Sequence, residues 1–534
     1  MIFNLTQERW ISVRRVDGST DKIAPWEVSG GDPPCVDLSL PRMDFRSAMF
    51  EFLIGLVQTV FPPKDATEWK EKLVSPPAPE ELLQAVERIK SYFNLFEKKP
   101  LFLQDFELSA SDGSVNHISG LLIDSPGDNA LRLNSDFFVK RGRVEVLCPA
   151  CAAMGLFTLQ AFAPSGGKGN RTSLRGGGPL STIALGETLW EKIWLNVLPL
   201  NEKGVESLPA SHAIPGSVFP WAAPTRTSEK KGSETLPQDV HFLHAYWGMP
   251  RRILLLPEET SAPKICSICS LQGTTVVKEY IQRPYGYNYG DGWTHPLTPY
   301  RYQAGDVPPL AVKGAANITG YVNWLGLVYG NMHEDRGAVK PALCIHRQEK
   351  SNLNGSARIL ASGFDMDNMK PRQWCEGELP FVAVADDYRE DFREWVEKLV
   401  QAADKVKSNL MSGLKEGLFH EKKRGEVSAD QTRLSNASAM FWGDTEASFY
   451  ELVRTMVPVL EHESEGDLLK LRLRWAHVLE QACEKLFQAE VQSALFHPDH
   501  ARRIHAAQLK MRNFNGAALR KILELPEKWR SIQR

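Results

Sequence analysis

Four of the eight cysteines form two CxxC pairs, Cys148-Pro-Ala-Cys151 and Cys266-Ser-Ile-Cys269. Two such pairs can supply the four thiolates of a closed tetrahedral zinc site, each pair chelating from its own turn. Four protein ligands leave no open position, so the ion would hold structure and would not activate water. The pairs stand 114 residues apart, far beyond the gap of a zinc ribbon, so one shared site requires the fold to bring them together. Two other readings stand beside this one. Redox chemistry asks for a thiolate at a helix N-terminus in a thioredoxin-like βαβ setting, which the pattern lacks. Plain burial asks for no chemistry, and it is the reading for Cys35, Cys344, Cys375 and Cys483.

The first pair leads into "LFTLQAFAPSGGKGNRTSLRGGGPL". Between Ser165 and Gly178 this stretch holds six glycines, three cations and no acid. It is not a phosphate-binding P-loop, because Gly167-Lys168 is followed by Gly169, and Phe162 stands where the first glycine belongs. Nor is it a dinucleotide fingerprint, since the spacing is wrong and Pro179 follows at once. What remains is backbone that a ligand can approach closely, with positive charge from Lys168, Arg171 and Arg175. That suits a sugar–phosphate backbone; a flexible surface loop with tight turns is the alternative.

Two further stretches raise chemistry and leave it open. "KEYIQRPYGYNYGDGW" places Tyr285, Tyr287 and Tyr289 at period two, on one face of a strand beside Arg283, either to stack on bases or as a half-buried ladder. "GFDMDNMK" looks like a calcium loop, but Met369 and Lys370 occupy positions that need a ligand and a glycine. There is no HExxH pattern and no nucleophile elbow, so the sequence does not argue for an enzyme.

These residues need elements to position them. At 534 residues the chain exceeds one compact core. With 43% hydrophobic and 24% charged residues it has the composition of a globular protein, and a net charge of −2 counts against a histone-like nucleic-acid binder. The N-terminus lacks a signal-peptide pattern, and the run 48–61 is too short to span a membrane, so a reduced, cytoplasmic setting is expected. Up to about residue 380, short apolar runs alternate with Gly and Pro clusters, predicting a mixed α/β domain with long loops over 1–380.

After that the period becomes helical. Tyr388, Phe392, Trp395, Leu399, Ala403, Val406, Leu410 and Leu414 share one stripe. Further helices are predicted at about 444–463, 467–496 and 499–525, with Asp444 and Asp467 as N-caps, giving a four-helix bundle over 381–534. The last carries a basic strip, Arg502, Arg503, Lys510, Arg512, Arg520 and Lys521, suited to guiding DNA or to a solvated face.

Taken together, "LPRMDFRSAMFEFLIGLVQ", "FFVKRG", "LCPAC", "APSGGKGNRTSLRGGGPLSTI", "CSIC", "WTHPLTPY" and "GFDMDNMKPRQW" resemble, in order, the CasA family, the large subunit of the type I-E CRISPR surveillance complex Cascade. The resemblance implies an α+β fold with a C-terminal four-helix bundle, and a non-enzymatic role. That role is to recognise the protospacer-adjacent motif in double-stranded DNA, start unwinding against the guide RNA, and recruit a helicase-nuclease. The family's glycine loop, which lies in the motif's minor groove, matches Pro164–Arg175, its central glycine falling at Lys168 or Gly169. A family lysine in the same groove corresponds to Arg283. The wedge glutamine corresponds to Asn368, where the shorter side chain departs from the family and Met369 offers an apolar wedge. The loop touching the guide's 5′ handle matches Phe138, Val139 and Lys140, and the CxxC pairs match family cysteines thought to bind zinc. The competing class is a zinc-supported nuclease or nucleotide hydrolase using the glycine-rich loop.

Overall fold

The computed structural model describes residues 2–135, 140–167, 169–230, 233–303, 305–333, 337–349, 357–418, 428–492 and 498–532. The chain forms two compact units. The first takes Met1–Ile318 and later segments up to Leu379, and the second takes Thr319–Asn331 and Pro380–Arg534. Helix Tyr321–Val328 therefore groups with the helical C-terminal part, although its sequence precedes the expected boundary at 380. Its aromatic residues explain this. Tyr321 stacks on Phe449 at 4.4 Å and its hydroxyl meets Thr445 Oγ1 at 2.9 Å, while Trp324 packs on Phe392.

The first unit is organised around helix Met43–Val60, which is buried on nearly every face from Asp44 onward. A helix apolar all round must be enclosed by other elements. Phe52 shows how: it meets Trp10, Phe93, Phe102, Phe157 and Trp247 edge-to-face at 5.7–6.3 Å. Each such pair is worth about 0.5–1.5 kcal/mol beyond the area it buries. Phe157 belongs to helix Pro149–Phe162, the second buried rod of the unit.

Small, largely antiparallel sheets surround these helices. One has strand Ile11–Arg15 between Thr20–Ile23 and Cys35–Leu38. A long hairpin joins Arg252–Ile265 to Gln272–Arg283, and Ser114–His117 pairs on the far side of its second strand. A second hairpin, Arg358–Asp367 with Lys370–Pro380, adds to strand Ser181–Leu185 in the register Arg358↔Leu185 to Ser362↔Ser181. The mixed α+β class is as the sequence implies.

In the second unit four long helices run Arg389–Leu418, Ser428–Glu461, Glu465–Val491 and Pro498–Ile522. The stripe on the first buries Phe392, Leu399, Ala403, Val406, Leu410 and Leu414, with Trp395 half-buried and Val396 taking the interior place beside it. Asp444 is not an N-cap. It lies inside the second helix, which starts sixteen residues earlier, and pairs with Lys485 at 3.0 Å. Ala437 and Phe441 are the buried anchors that keep this polar stretch helical. Asp467 is not an N-cap either: it sits in the first turn of the third helix. The cap position is Ser464, whose Oγ donates to Asp467 Oδ2 at 2.7 Å. Among the described residues no helix is long and apolar enough to cross a membrane.

Candidate functional site

The four paired cysteines come together. Their Sγ atoms all lie within 4.8 Å of one another, with Cys148 and Cys269 3.6 Å apart. A disulfide requires about 2.05 Å, whereas four thiolates around an ion at about 2.3 Å stand roughly 3.8 Å apart. The cluster therefore has the dimensions of a tetrahedral metal cage. Each half is built by local rules. Cys148 caps helix Pro149–Phe162, its Sγ accepting the Cys151 N–H at 3.5 Å, with Pro149 in the first turn where a missing N–H costs nothing. Cys266 to Cys269 turn the tip of the long hairpin, and the Ser270 N–H closes on Cys266 O at 3.0 Å.

Backbone pairing aligns the halves. Leu147 and Val277 exchange N–H···O bonds at 3.0 and 2.8 Å, and the Ser267 N–H reaches Val146 O at 2.8 Å. The first CxxC does stand at a helix N-terminus, a setting the sequence pattern does not reveal. The facing second pair nonetheless makes it half of a four-thiol cage. Crowding polarises the thiols. Hydrogen bonding from Cys151 pulls Cys269 down to about 7, Cys148 and Cys151 together pull Cys266 lower, and Cys151 is pushed up. Such thiolates are the form a metal binds.

Helix Pro149–Phe162 and strand Gln272–Arg283 both begin at this cluster, and both end at the glycine-rich loop. There the Tyr285 N–H donates to Gly169 O at 2.7 Å, and Gln282 Nε2 donates to Asn170 Oδ1 at 2.8 Å. On its other side the loop continues into strand Ser181–Leu185, with which the second hairpin pairs edge to edge. That hairpin turns at Asn368 and Met369, with φ of +45° and +63°, the left-handed pair of a tight type I′ turn. Asn tolerates this conformation; Met does so only under strain.

The tip folds back onto the loop. A Cβ on Gly177 would lie 2.7 Å from Met369 Sδ, and one on Gly176 would lie 2.6 Å from Lys313 Nζ. The run of glycines thus makes room for the side chains of Met369 and Lys313. Lys313 reaches across the surface to Arg175 O at 2.8 Å, and desolvation, aided by Arg175, pulls its ammonium down to about 8. Asn368 and Met369 are exposed, as is Arg283, whose nearest acid is Glu229 at 3.7 Å.

The loop's own cations are arranged differently from the sequence expectation. Arg175 does not face a ligand. It is buried, with Nη2 2.8 Å from Glu51 Oε2 and Nη1 bonded to Ser181 Oγ and Thr298 Oγ1 at 2.9 and 3.0 Å. A carboxylate inside the enclosed helix Met43–Val60 needs a partner, and Arg175 is that partner. Arg171 is half-buried and donates to Ser228 Oγ and O at 2.9 and 3.1 Å, tying the loop to the 228 region. Gly169 is half-buried against Pro284 and Tyr285. Lys168, Phe138 and Val139 lie outside the described residues, while Lys140 is exposed.

Of the tyrosine ladder, Tyr285 drops out, with φ +66° beyond the end of strand Gln272–Arg283, while buried Tyr287 and half-buried Tyr289 stack at 5.8 Å. Of the basic strip, Lys510 pairs with Glu416 at 2.8 Å, Arg512 with Glu484 at 3.0 Å, and Arg503 donates to Gly417 O. Arg502, Arg520 and Lys521 remain exposed.

Sequence reasoning missed Asn170, Gln282, Lys313 and Arg251. The last stands under the loop, its Nη2 donating to Pro164 O. Its only signal was a pair of arginines heading an apolar strand, "MPRRILLL".

Comparison with known proteins gives a consistent result. The family described as CRISPR-associated protein Cse1 matches residues 4–486. Cse1 from Acidimicrobium ferrooxidans is similar over 98% of this chain and 99% of its own, with a TM-score of 0.71 at 17% identity. CasA from Thermus thermophilus is similar over 98% and 100%, with a TM-score of 0.69 at 17% identity. A chain of a CRISPR RNA-guided surveillance complex is similar over 96% and 99%, with a TM-score of 0.67 at 16% identity.

Proposed function

The chain belongs to the CRISPR-associated Cse1 (CasA) family, and from that membership we propose that it is the DNA-recognition subunit of a Cascade surveillance complex. In this reading it works alongside guide RNA and the other Cascade proteins. It recognises the protospacer-adjacent motif in double-stranded target DNA, promotes unwinding and recruits a helicase-nuclease, with no catalytic centre of its own. A chain in a CRISPR RNA-guided surveillance complex is among its structural relatives, which supports the assembly.

One observation carries the motif-reading role. The glycine-rich loop, the exposed Arg283 and the strained Asn368–Met369 turn belong to three distant parts of the sequence yet share one surface. A loop of bare backbone can enter a minor groove, a guanidinium can read its floor, and an apolar tip can part a base step. The minor groove carries a degenerate code, so such a reader accepts several related motifs, while base pairing with the guide reads the target itself. Lys140 and its neighbours Phe138 and Val139 are assigned to the guide's 5′ handle. The ion in the four-cysteine cage is zinc, held by Cys148, Cys151, Cys266 and Cys269, with a structural role.

The test is duplex binding by the guide-RNA complex, with and without this chain, over a library of flanking motifs at fixed salt. Binding that needs the chain and depends on the flank supports the reading. Indifference to the flank overturns it. Metal-dependent nuclease or nucleotide hydrolysis by the purified chain would favour the enzymatic alternative instead.

A further inference from the structure

With Arg175 committed to Glu51 and Arg171 to Ser228, two of the three cations in the glycine-rich loop are already engaged. Another stands beneath it. Arg251 is 6% exposed, and its guanidinium packs against Gly166, with Nη1 and Nη2 3.3 and 3.4 Å from where a Cβ would be. Nη2 donates to Pro164 O, while Nε is buried with no hydrogen-bond partner. Among the described residues no carboxylate lies within ion-pair distance of this group.

That is an unfavourable arrangement for structure alone. A buried charge is tolerated when it is paired and fully hydrogen-bonded. The neighbouring Arg252 shows the usual solution, its Nε 2.6 Å from the buried Asp105 Oδ2. Arg251 has no such acid, and burial pulls its pKa down to about 10. Gly166 above it is exposed and carries no side chain, so the loop's backbone covers this side of the guanidinium. An uncompensated cation under bare backbone is a site waiting for an anion to complete it.

We propose that Arg251 is a buried cation serving the glycine-rich loop and that a nucleic-acid phosphate seated on Gly166 is its counter-ion. This rests on the DNA-recognition reading and adds a phosphate contact to it. The contact positions the loop on the duplex and carries no sequence information.

The experiment measures duplex affinity of the assembled guide-RNA complex against salt, for the wild-type chain and for Arg251→Gln and Arg251→Lys, on a preferred and a disfavoured flank. Loss of one phosphate contact makes the log–log salt slope shallower by about 1. Arg251→Gln is expected to show that change, with affinity at low salt falling about tenfold on both flanks, and to melt no lower than wild type because an unpaired buried charge has gone. Arg251→Lys keeps the charge and is expected to keep the slope.

A wild-type slope in Arg251→Gln overturns the proposal, as does an Arg251→Lys chain that loses as much as Arg251→Gln, since charge would then not be what matters. Should Arg251→Gln fail to fold, Arg251→Met takes its place as the charge-removing variant, with the same shallower slope expected and a wild-type slope overturning the proposal. Flank preference in the wild type tests the DNA-recognition reading separately. A complex that binds duplex without flank preference yet loses slope in Arg251→Gln sinks that reading and sustains the phosphate contact.

Discussion

Arg175 and Glu51, 124 positions apart in sequence, form a buried two-point ion pair, Nη2 to Oε2 at 2.8 Å and Nη1 to Oε1 at 3.3 Å, each side chain 3% exposed. The pair fixes where the glycine-rich loop leaves the core, because Arg175 also donates to Ala161 O at the end of the helix that enters it. Arg175→Ala strands the Glu51 carboxylate and is expected to destabilise the first unit by about 3–5 kcal/mol. The double variant Arg175→Met, Glu51→Leu should recover a large part of that. Denaturant unfolding followed by tryptophan fluorescence measures both, and a loss under about 1 kcal/mol for the single variant would contradict the burial argument.

The four clustered cysteines predict one metal ion per chain, and zinc as the ion. Serine at any of Cys148, Cys151, Cys266 or Cys269 should abolish stoichiometric metal in elemental analysis and lower the melting temperature. Serine at Cys35, Cys344, Cys375 or Cys483, all buried and away from the cage, should leave the metal in place. A natively folded chain without metal refutes the assignment.

Met369 carries conformational strain at φ +63° that glycine would not. Met369→Gly is therefore expected to stabilise the hairpin, or leave it unchanged, by up to about 1 kcal/mol. In the assembled complex the same change should slow strand opening at the motif while duplex affinity for the flank persists. A fluorescent base analogue at the first protospacer step reads the opening. Faster or equal opening removes the wedge role.

His244 is fully buried, and desolvation pulls its pKa down to about 4. Its Nδ1 faces Ser217 O at 3.1 Å and so carries the proton, leaving Nε2 to accept from the Tyr289 hydroxyl at 2.9 Å. The native state keeps this ring neutral while the unfolded chain binds a proton below about 6.5. Stability from His244 is thus complete above that pH and is lost as pH falls to about 4, by about 3 kcal/mol. His295, also buried and lowered, acts in the same direction. Unfolding free energies at pH 7, 5.5 and 4.5 should decline accordingly, and a flat profile would show that the ring titrates normally.

Much of this was legible in the sequence because it depended on local pattern. The stripe from Phe392 to Leu414 and the two CxxC pairs each follow from residue type and spacing, whereas the turn at Asn368 and Met369 shows only in the structure. What was not legible depended on distant partners. Arg175 reads as a loop cation until Glu51, on a helix enclosed on all sides, claims it. Tyr285 satisfies a period of two but adopts a left-handed φ because its N–H is held by Gly169 O. Asp444 looks like a cap after Gly443, yet Phe441 and Ala437 are anchored inside the bundle and carry the helix through. Arg251 carries no sequence signal of its role, since it is buried like its neighbour Arg252 and differs from it in lacking an acid partner such as Asp105.

The cysteine cage has one more consequence, which concerns the order in which the chain is made. Its first two cysteines leave the ribosome well before the second two, and the intervening 114 residues include strand Ser181–Leu185, the glycine-rich loop and the whole of the long hairpin's first strand. Closing so long a segment costs entropy that only folded contacts offset. If the cage takes a metal, complete coordination would mark the moment at which the loop has been set between its helix and its strand, and metal capture would be a timestamp on the folding of that surface.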